Sequence, residues 1–151
     1  MINTSTINAI VEQSDQNRSS FAGVIPACVR TIDEMIAIHA MADPETPAVV
    51  FNGQVVSYGE LDRRSNQLAN YLTNLGVEAE TIVAICLDRS PESVISSLAV
   101  LKAGGAYLPL DPKLPLERLR FMLNDAKPRV LITNSEFAEE IAGESCAVVA
   151  I

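Results

Sequence analysis

Hydrophobic positions along this chain fall into two rhythms, short apolar runs and longer stretches with helical spacing, and from residue 31 onward the two alternate. Before that point, residues 1 to about 30 are polar, rich in Asn, Ser and Gln, and hold no sustained period. They read as a leader or interdomain linker with one apolar patch, Phe21 to Ala27. Ile32, Met35, Ile36 and Ile38 predict a short helix opened by a Thr31 or Asp33 cap. It ends before Asp43-Pro44, because a residue preceding proline is pushed out of helical geometry. Ala48 to Phe51 and Gln54 to Ser57 are strand-like runs joined by Asn52-Gly53. That dipeptide suits a type I′ hairpin turn, in which both central residues take positive φ.

Ser57 and Glu60 have capping-box spacing, so the hydroxyl and the carboxylate could each satisfy the other's backbone amide. Tyr58, Leu61, Leu68, Leu72 and Leu75 then follow at helical spacing with Arg63, Arg64, Asn66, Gln67, Asn70 and Asn74 opposite them. Gly76 stands where a helix-ending glycine belongs. Thr81 to Leu87 is continuously apolar, as in a strand covered on both faces. Ser90 as cap and Pro91 at the first helical position open a helix through Lys102, closed by Gly104. Val94, Ile95, Leu98, Val100 and Leu101 wrap so much of it that it should be largely buried. Strand Ala106 to Leu110, helix Pro115 to Ala126, strand Arg129 to Thr133, helix Ser135 to Ala142 and strand Ala147 to Ile151 complete the alternation. Strands alternating with helices imply βαβ units and a mainly parallel sheet. The last strand is apolar, with no following helix to cover its face, so an open sheet edge is expected there.

Composition narrows the class without naming a function. The 151 residues are 48% hydrophobic and 20% charged, which suits a globular core and not a disordered chain. A net charge of −8 argues against nucleic acid or an anionic membrane as partner. No run of 18 apolar residues marks a membrane span, and the N-terminus lacks the basic and apolar regions of a signal peptide, so a cytoplasmic location is expected. Cys28, Cys86 and Cys146 form no C-x-x-C pair, so neither a zinc site nor a disulfide framework is indicated. His39 has no second histidine or cysteine near it in sequence, and a packed or solvated ring is the simpler reading. Glu117 and Glu139-Glu140 read as solvated helix faces.

Two segments carry a family resemblance. Val56-Ser57-Tyr58-Gly59-Glu60-Leu61 resembles the first core motif of nonribosomal-peptide-synthetase adenylation domains, with valine in place of its first leucine. Leu101-Lys102-Ala103-Gly104-Gly105-Ala106-Tyr107-Leu108-Pro109-Leu110-Asp111 resembles the second. The helix from Leu61 to Ala69, the strand and turn Ile85 to Ser90, and Leu116 to Ala126 are also similar to their counterparts, so the likeness covers roughly residues 31 to 133. The resemblance implies an α/β fold: the N-terminal portion of the large domain of adenylate-forming enzymes, incomplete, with residues 31–151 as the adenylation-domain piece. It implies a parent reaction in which an amino acid and ATP give an aminoacyl-adenylate and pyrophosphate. ATP and Mg2+ would serve the complete domain, and the acyl group would pass to phosphopantetheine on a carrier domain. Partners would be the remainder of the domain and, beyond it, condensation and carrier domains.

The residues present do not supply that chemistry by themselves. None of the seven glycines lies in a Ser/Thr-Gly-rich loop followed by Pro-Lys-Gly, and no Walker pattern appears. The family's ATP loop, its acidic amino-group anchor and its catalytic lysine have no match here, so no catalytic, cofactor-binding or metal residue is assigned. Lys102 at a helix end reads as complementing the terminal carbonyls more than as a phosphate ligand. Gly104-Gly105 reads as helix termination with close packing. Asp88-Arg89-Ser90 reads as a plain cap. Tyr107, Pro109 and Asp111 should fix the strand exit, with the tyrosine hydroxyl anchored. Three alternatives remain open from sequence: one half of a split adenylation enzyme, a non-catalytic α/β interaction module, or a relative of the acyl-CoA ligases.

Overall fold

The computed structural model describes residues 31–141 and 146–151. The polar leader with its Phe21 to Ala27 patch, Cys28, and the expected last helical residue Ala142 lie outside the described residues. The chain divides into two units, Met1–Arg63 and Arg64–Ile151.

In the first unit, α1 (Ile32–Ala42) is capped by Thr31, whose hydroxyl accepts the Glu34 amide at 3.4 Å, and Asp33 and Glu34 favour its positive end. Its apolar stripe is not buried: Ile32 is 65% and Met41 79% exposed. Strands β1 (Pro47–Phe51) and β2 (Gln54–Ser57) pair antiparallel, with Val50 opposite Val55. Asn52 at φ 48° and Gly53 at φ 81° give the predicted positive-φ turn. Helix α2 (Tyr58–Asn74) starts here and continues into the second unit.

The second unit is a three-layer sandwich. Strands β3 (Ile82–Cys86), β4 (Ala106–Leu110), β5 (Val130–Thr133) and β6 (Ala147–Ala150) form one parallel sheet in the order β4-β3-β5-β6. Pleating sends alternate residues to opposite faces. Val83, Ile85, Val130, Ile132 and Val149 join Ala69 and Leu72 of α2 and Ala99 and Val100 of α3 (Pro91–Lys102). Ala84, Cys86 and Leu131 join Leu119 and Leu123 of α4 (Leu116–Ala126), with Phe137 of α5 (Ser135–Ile141) packed alongside. The β3-to-β4 connection runs one way with α3 on the first face. Those from β4 to β5 and from β5 to β6 run the other way with α4 and α5 on the second. Reversing both direction and face preserves handedness, so all three crossovers share one hand.

Two expectations need correction. Val94 of the helix read as largely buried is 41% exposed, although Pro91, Ile95, Ser96, Leu98, Ala99 and Val100 are buried. The face of the last strand is not left open: Val149 is only 8% exposed and joins the α2/α3 core, so what β6 presents is an edge.

Candidate functional site

Open parallel sheets bind ligands beyond the carboxyl ends of their strands, where successive connections leave in opposite directions. Here that point lies between β3 and β5. Thr133 is fully buried there, and its hydroxyl donates to the Cys86 carbonyl at 2.9 Å, tying the two strand ends together. The Cys86 thiol is pushed up to about 11, first by burial and then by the negative charges of Asp111 and Asp88. It is a neutral core group and not a ready nucleophile.

Ser90, Ser93, Asp111 and Asn134 around this crevice are engaged in holding turns, whereas the side chains of Asp88 and Arg89 in the β3–α3 turn make no hydrogen bond among the described residues. Ser90 accepts the Ser93 amide at 3.2 Å and the Ser93 hydroxyl receives the Ser90 amide at 3.4 Å, a capping box that occupies the start of α3. Ser90 and Pro91 stand out in the sequence, whereas the Ser93 half of the box does not, because Glu or Gln is usual at that position. Asp111 accepts the Lys113 amide at 2.9 Å, and the Asp111 carbonyl accepts from Leu114 at 3.1 Å, closing the turn after β4. Asn134 accepts the Phe137 amide at 2.9 Å at the start of α5. An anion arriving at α3 would compete with its capping box, and no glycine opens the turn from Leu87 to Ser90 to a phosphate. These residues do not fit the phosphates of ATP. Among the described residues no group of three His, Cys, Asp or Glu side chains could hold a metal ion.

The first core-motif segment is a junction. Val56 and Leu61 are 8% and 2% exposed. The Ser57 hydroxyl accepts the Glu60 amide at 3.3 Å, while the Glu60 carboxylate takes Arg63 Nε and Nη2 at 2.9 and 2.8 Å. That two-pronged pair raises the Arg63 pKa. The Tyr58 ring lies 5.1 Å from His39, centroid to centroid, so the lone histidine is packed against the motif. Gly59 gives the segment its close approach: its amide donates to the Pro44 carbonyl at 2.9 Å, and a Cβ there would sit 2.8 Å from Pro44 Cβ. The sequence offered only a glycine at an unspecified motif position, with no sign of what it faces.

The second segment ends one element and begins another. The Gly104 amide bonds the Leu101 carbonyl and the Gly105 amide the Val100 carbonyl, both at 2.9 Å, with Gly104 at φ 83°: a Schellman motif. A Cβ on Gly105 would meet the Thr81 carbonyl at 2.9 Å. Ala103 is the C-cap, and Lys102 reaches Asn66 Oδ1 on α2 at 2.8 Å. Ala106 to Leu110 is the edge strand β4; Leu108 and Leu110 point into the α4 side of the core. Tyr107 is 44% exposed, and its hydroxyl makes no hydrogen bond among the described residues, so the anchor expected for it is not found among them. Helix α2 ends in a second Schellman motif at Gly76, where Arg129 Nε also donates to the Leu75 carbonyl at 3.1 Å. Nothing in the sequence announced that clamp across 54 positions.

The AMP-binding enzyme family matches residues 36–150. The chain is 43% identical over 113 residues to bacitracin synthase 3 of Bacillus licheniformis, 75% of this chain and 2% of the relative. It is 46% identical over 110 residues to the dimodular nonribosomal peptide synthase of Bacillus subtilis, 73% of this chain and 5% of that one. It thus spans only 2% and 5% of the length of these curated relatives. Among solved structures, the nonribosomal peptide synthetase FmoA3 with alpha-methyl-L-serine-AMP bound matches at TM-score 0.76 and 28% identity, over 83% of this chain and 14% of that one. The NpsA N-terminal subdomain of Klebsiella oxytoca, in complex with anthranilyl-AMSN, matches at TM-score 0.73 and 26% identity, over 83% of this chain and 33% of that one. With the family matched along three-quarters of its length and its sheet shared with these structures, the chain belongs to the AMP-binding enzymes and corresponds to the N-terminal part of a peptide-synthetase adenylation domain.

Proposed function

We propose that this chain is the scaffold portion of an amino-acid-activating adenylation domain, one whose parent joins an amino acid to ATP as aminoacyl-AMP, and that it does not form adenylates alone. One observation carries the second half of this reading. At the carboxyl end of the sheet, the side chains of Ser90, Ser93, Asp111 and Thr133 are taken up by the capping box, the turn after β4 and the tie to the Cys86 carbonyl, and the turn from Leu87 to Ser90 has no glycine. The core-motif residues, Ser57, Tyr58, Glu60 and Leu61 and then Leu101 to Asp111, act through the caps and junctions they build.

The support for ATP as the parent's substrate is likeness: FmoA3 is solved with alpha-methyl-L-serine-AMP and with AMPPNP. Mg2+, phosphopantetheine and condensation or carrier partners belong to the same proposal; one neighbour is an adenylation–PCP di-domain. So do the boundary at residue 31 and a cytoplasmic setting. Among the described residues no helix is long and apolar enough to cross a membrane. The test is amino-acid-dependent ATP–pyrophosphate exchange by the isolated 151-residue chain across the proteinogenic amino acids. We expect no exchange above the protein-free blank; robust exchange with any of them overturns the reading.

A further inference from the structure

Among the described residues, Asn52 at the tip of the hairpin is the asparagine that stands outside every helix and helix cap. Asn66, Asn70 and Asn74 lie in α2, Asn124 lies in α4, and Asn134 starts α5 with its side chain on the Phe137 amide. Asn52 is exposed, its side chain makes no hydrogen bond among the described residues, and the residue after it is glycine. The Gly53 amide has no backbone partner among them either, because the ladder closes at Phe51 and Gln54 on either side of the turn.

We propose that Asn52 is a self-modification site, at which the chain deamidates and then isomerises its own backbone. The Gly53 nitrogen attacks Asn52 Cγ. The new N–Cγ bond forms as the Cγ–Nδ2 bond breaks, and ammonia leaves with the proton that the Gly53 amide gives up. No electrons change hands. Water then opens the imide ring at either carbonyl, leaving aspartate or its β-linked isomer, isoaspartate, at position 52. Glycine permits the attack, since a Cβ on residue 53 would crowd the incoming carbon. The site is independent of the adenylation reading.

The fold sets both the pace and the consequence. Asn52 at φ 48° and Gly53 at φ 81° lie in the left-handed region, where the Gly53 nitrogen is turned away from Asn52 Cβ, so the turn must open before the ring can close. A two-stranded hairpin whose cross-strand pair, Val50 and Val55, is exposed opens at low cost. Aspartate keeps the hairpin, because Asp-Gly fits the same type I′ turn. Isoaspartate does not. Its main chain runs on through Cβ, which lengthens a two-residue turn by one backbone atom and breaks the Phe51–Gln54 register. Because β2 leads directly into Tyr58, whose amide donates to the Thr46 carbonyl at 2.9 Å, the lesion loosens the first core-motif junction from its hairpin side.

The test ages the full 151-residue chain in mildly alkaline buffer and follows the tryptic peptide Thr31 to Arg63, in which Asn52 is the only asparagine. Mass spectrometry reads the loss of the amide, and an isoaspartyl methyltransferase reads the isomer. We expect both products at Asn52, accumulating at least tenfold faster than any change at Asn66, Asn70, Asn74, Asn124 or Asn134. Unfolding the chain in urea should speed the reaction at Asn52 at least twofold. Asn52→Gly, which suits a type I′ turn, should leave the peptide unchanged with time. After ion-exchange separation, the isoaspartate fraction should exchange hydrogen faster at the Phe51 and Gln54 amides, while the aspartate fraction matches Asn52→Asp. No reaction at Asn52, or a rate matched by any helical asparagine, overturns the proposal. Equal rates in the folded and urea-unfolded chain overturn the part played by the turn. Unchanged exchange in the isoaspartate fraction overturns the loss of register.

Discussion

The two units use different means to hold their shape. The parallel sheet is closed on both faces, and Val130, Leu131, Ile132 and Thr133 of β5 are wholly buried. The hairpin unit buries Val56 and Leu61 but no residue of α1, and its cross-strand pair Val50 and Val55 is 43% and 47% exposed. A two-stranded hairpin gains little from burial in water. Its geometry comes instead from local chemistry: the Asn52-Gly53 turn, the Thr31 cap and the Pro44–Gly59 contact. Stability that rests on a core is sensitive to volume, while stability that rests on turns is sensitive to single backbone positions.

The largest test of that contrast is Ile132→Ala. Its side chain is fully buried in the cluster shared with Leu72, Ala99 and Val149. Truncation should cost about 2–5 kcal/mol, the transfer term plus the cavity left behind. Urea unfolding followed by far-ultraviolet circular dichroism should show the midpoint falling with the slope unchanged. A loss under about 1 kcal/mol would mean the sheet's core is not what holds it.

Gly59→Ala asks the same of the hairpin unit. The new Cβ must displace Pro44, whose Cβ and carbonyl stand 2.8 and 3.0 Å away. The overpacking should cost about 1–3 kcal/mol. Hydrogen exchange should quicken at the Gly59 and Tyr58 amides, which donate to Pro44 and Thr46. Amides of β5 should keep their protection. If β5 loosens equally, the two units do not differ in the way their burial suggests.

What was readable in sequence follows the same division. Elements whose signal is a local pattern stood out: the Asn-Gly turn, the Gly76 and Gly104 terminations, and the alternation that gives the parallel sheet. Interactions that join distant residues did not. The Arg129 side chain on the Leu75 backbone carbonyl and the Lys102–Asn66 bond join residues 54 and 36 positions apart, and only the packing of the helices and strands brings them together. The apolar stripe of α1 was read correctly as helical, yet periodicity says which side is apolar and not whether anything covers it. The core motifs marked the family while their roles were hidden, because Gly59 and Gly105 matter through backbone atoms of Pro44 and Thr81 that no motif contains.

A smaller effect appears only in alkali. Cys86 titrates near 11 when folded, above the ordinary thiol range, so the folded state holds a proton that the unfolded chain releases first. The stability tied to that proton is full below the unfolded thiol's pKa and is lost as pH rises through about 11. Cys86→Ala should flatten the decline in unfolding midpoint over this window. Cys146, half-buried and also raised by burial, should react with a thiol reagent at about pH 8 well before Cys86 does.

Ser96 is the position where the core should behave least like a core. It is fully buried on α3, and its hydroxyl has no hydrogen-bond partner among the described residues. A buried polar group without a partner costs free energy, and removing it while keeping the Cβ takes away the penalty without opening a cavity of any size. Ser96→Ala should therefore be neutral or stabilising by up to about 1 kcal/mol, with alanine's helix propensity acting in the same direction. The contrast is with Ser97, whose hydroxyl donates to the Ser93 carbonyl at 2.9 Å and whose removal forfeits a bond. Denaturant midpoints of the two single variants decide the matter. If Ser96→Ala unfolds more easily than Ser97→Ala, the Ser96 hydroxyl has a partner in solution, and the α3 seam holds a polar contact that burial alone conceals.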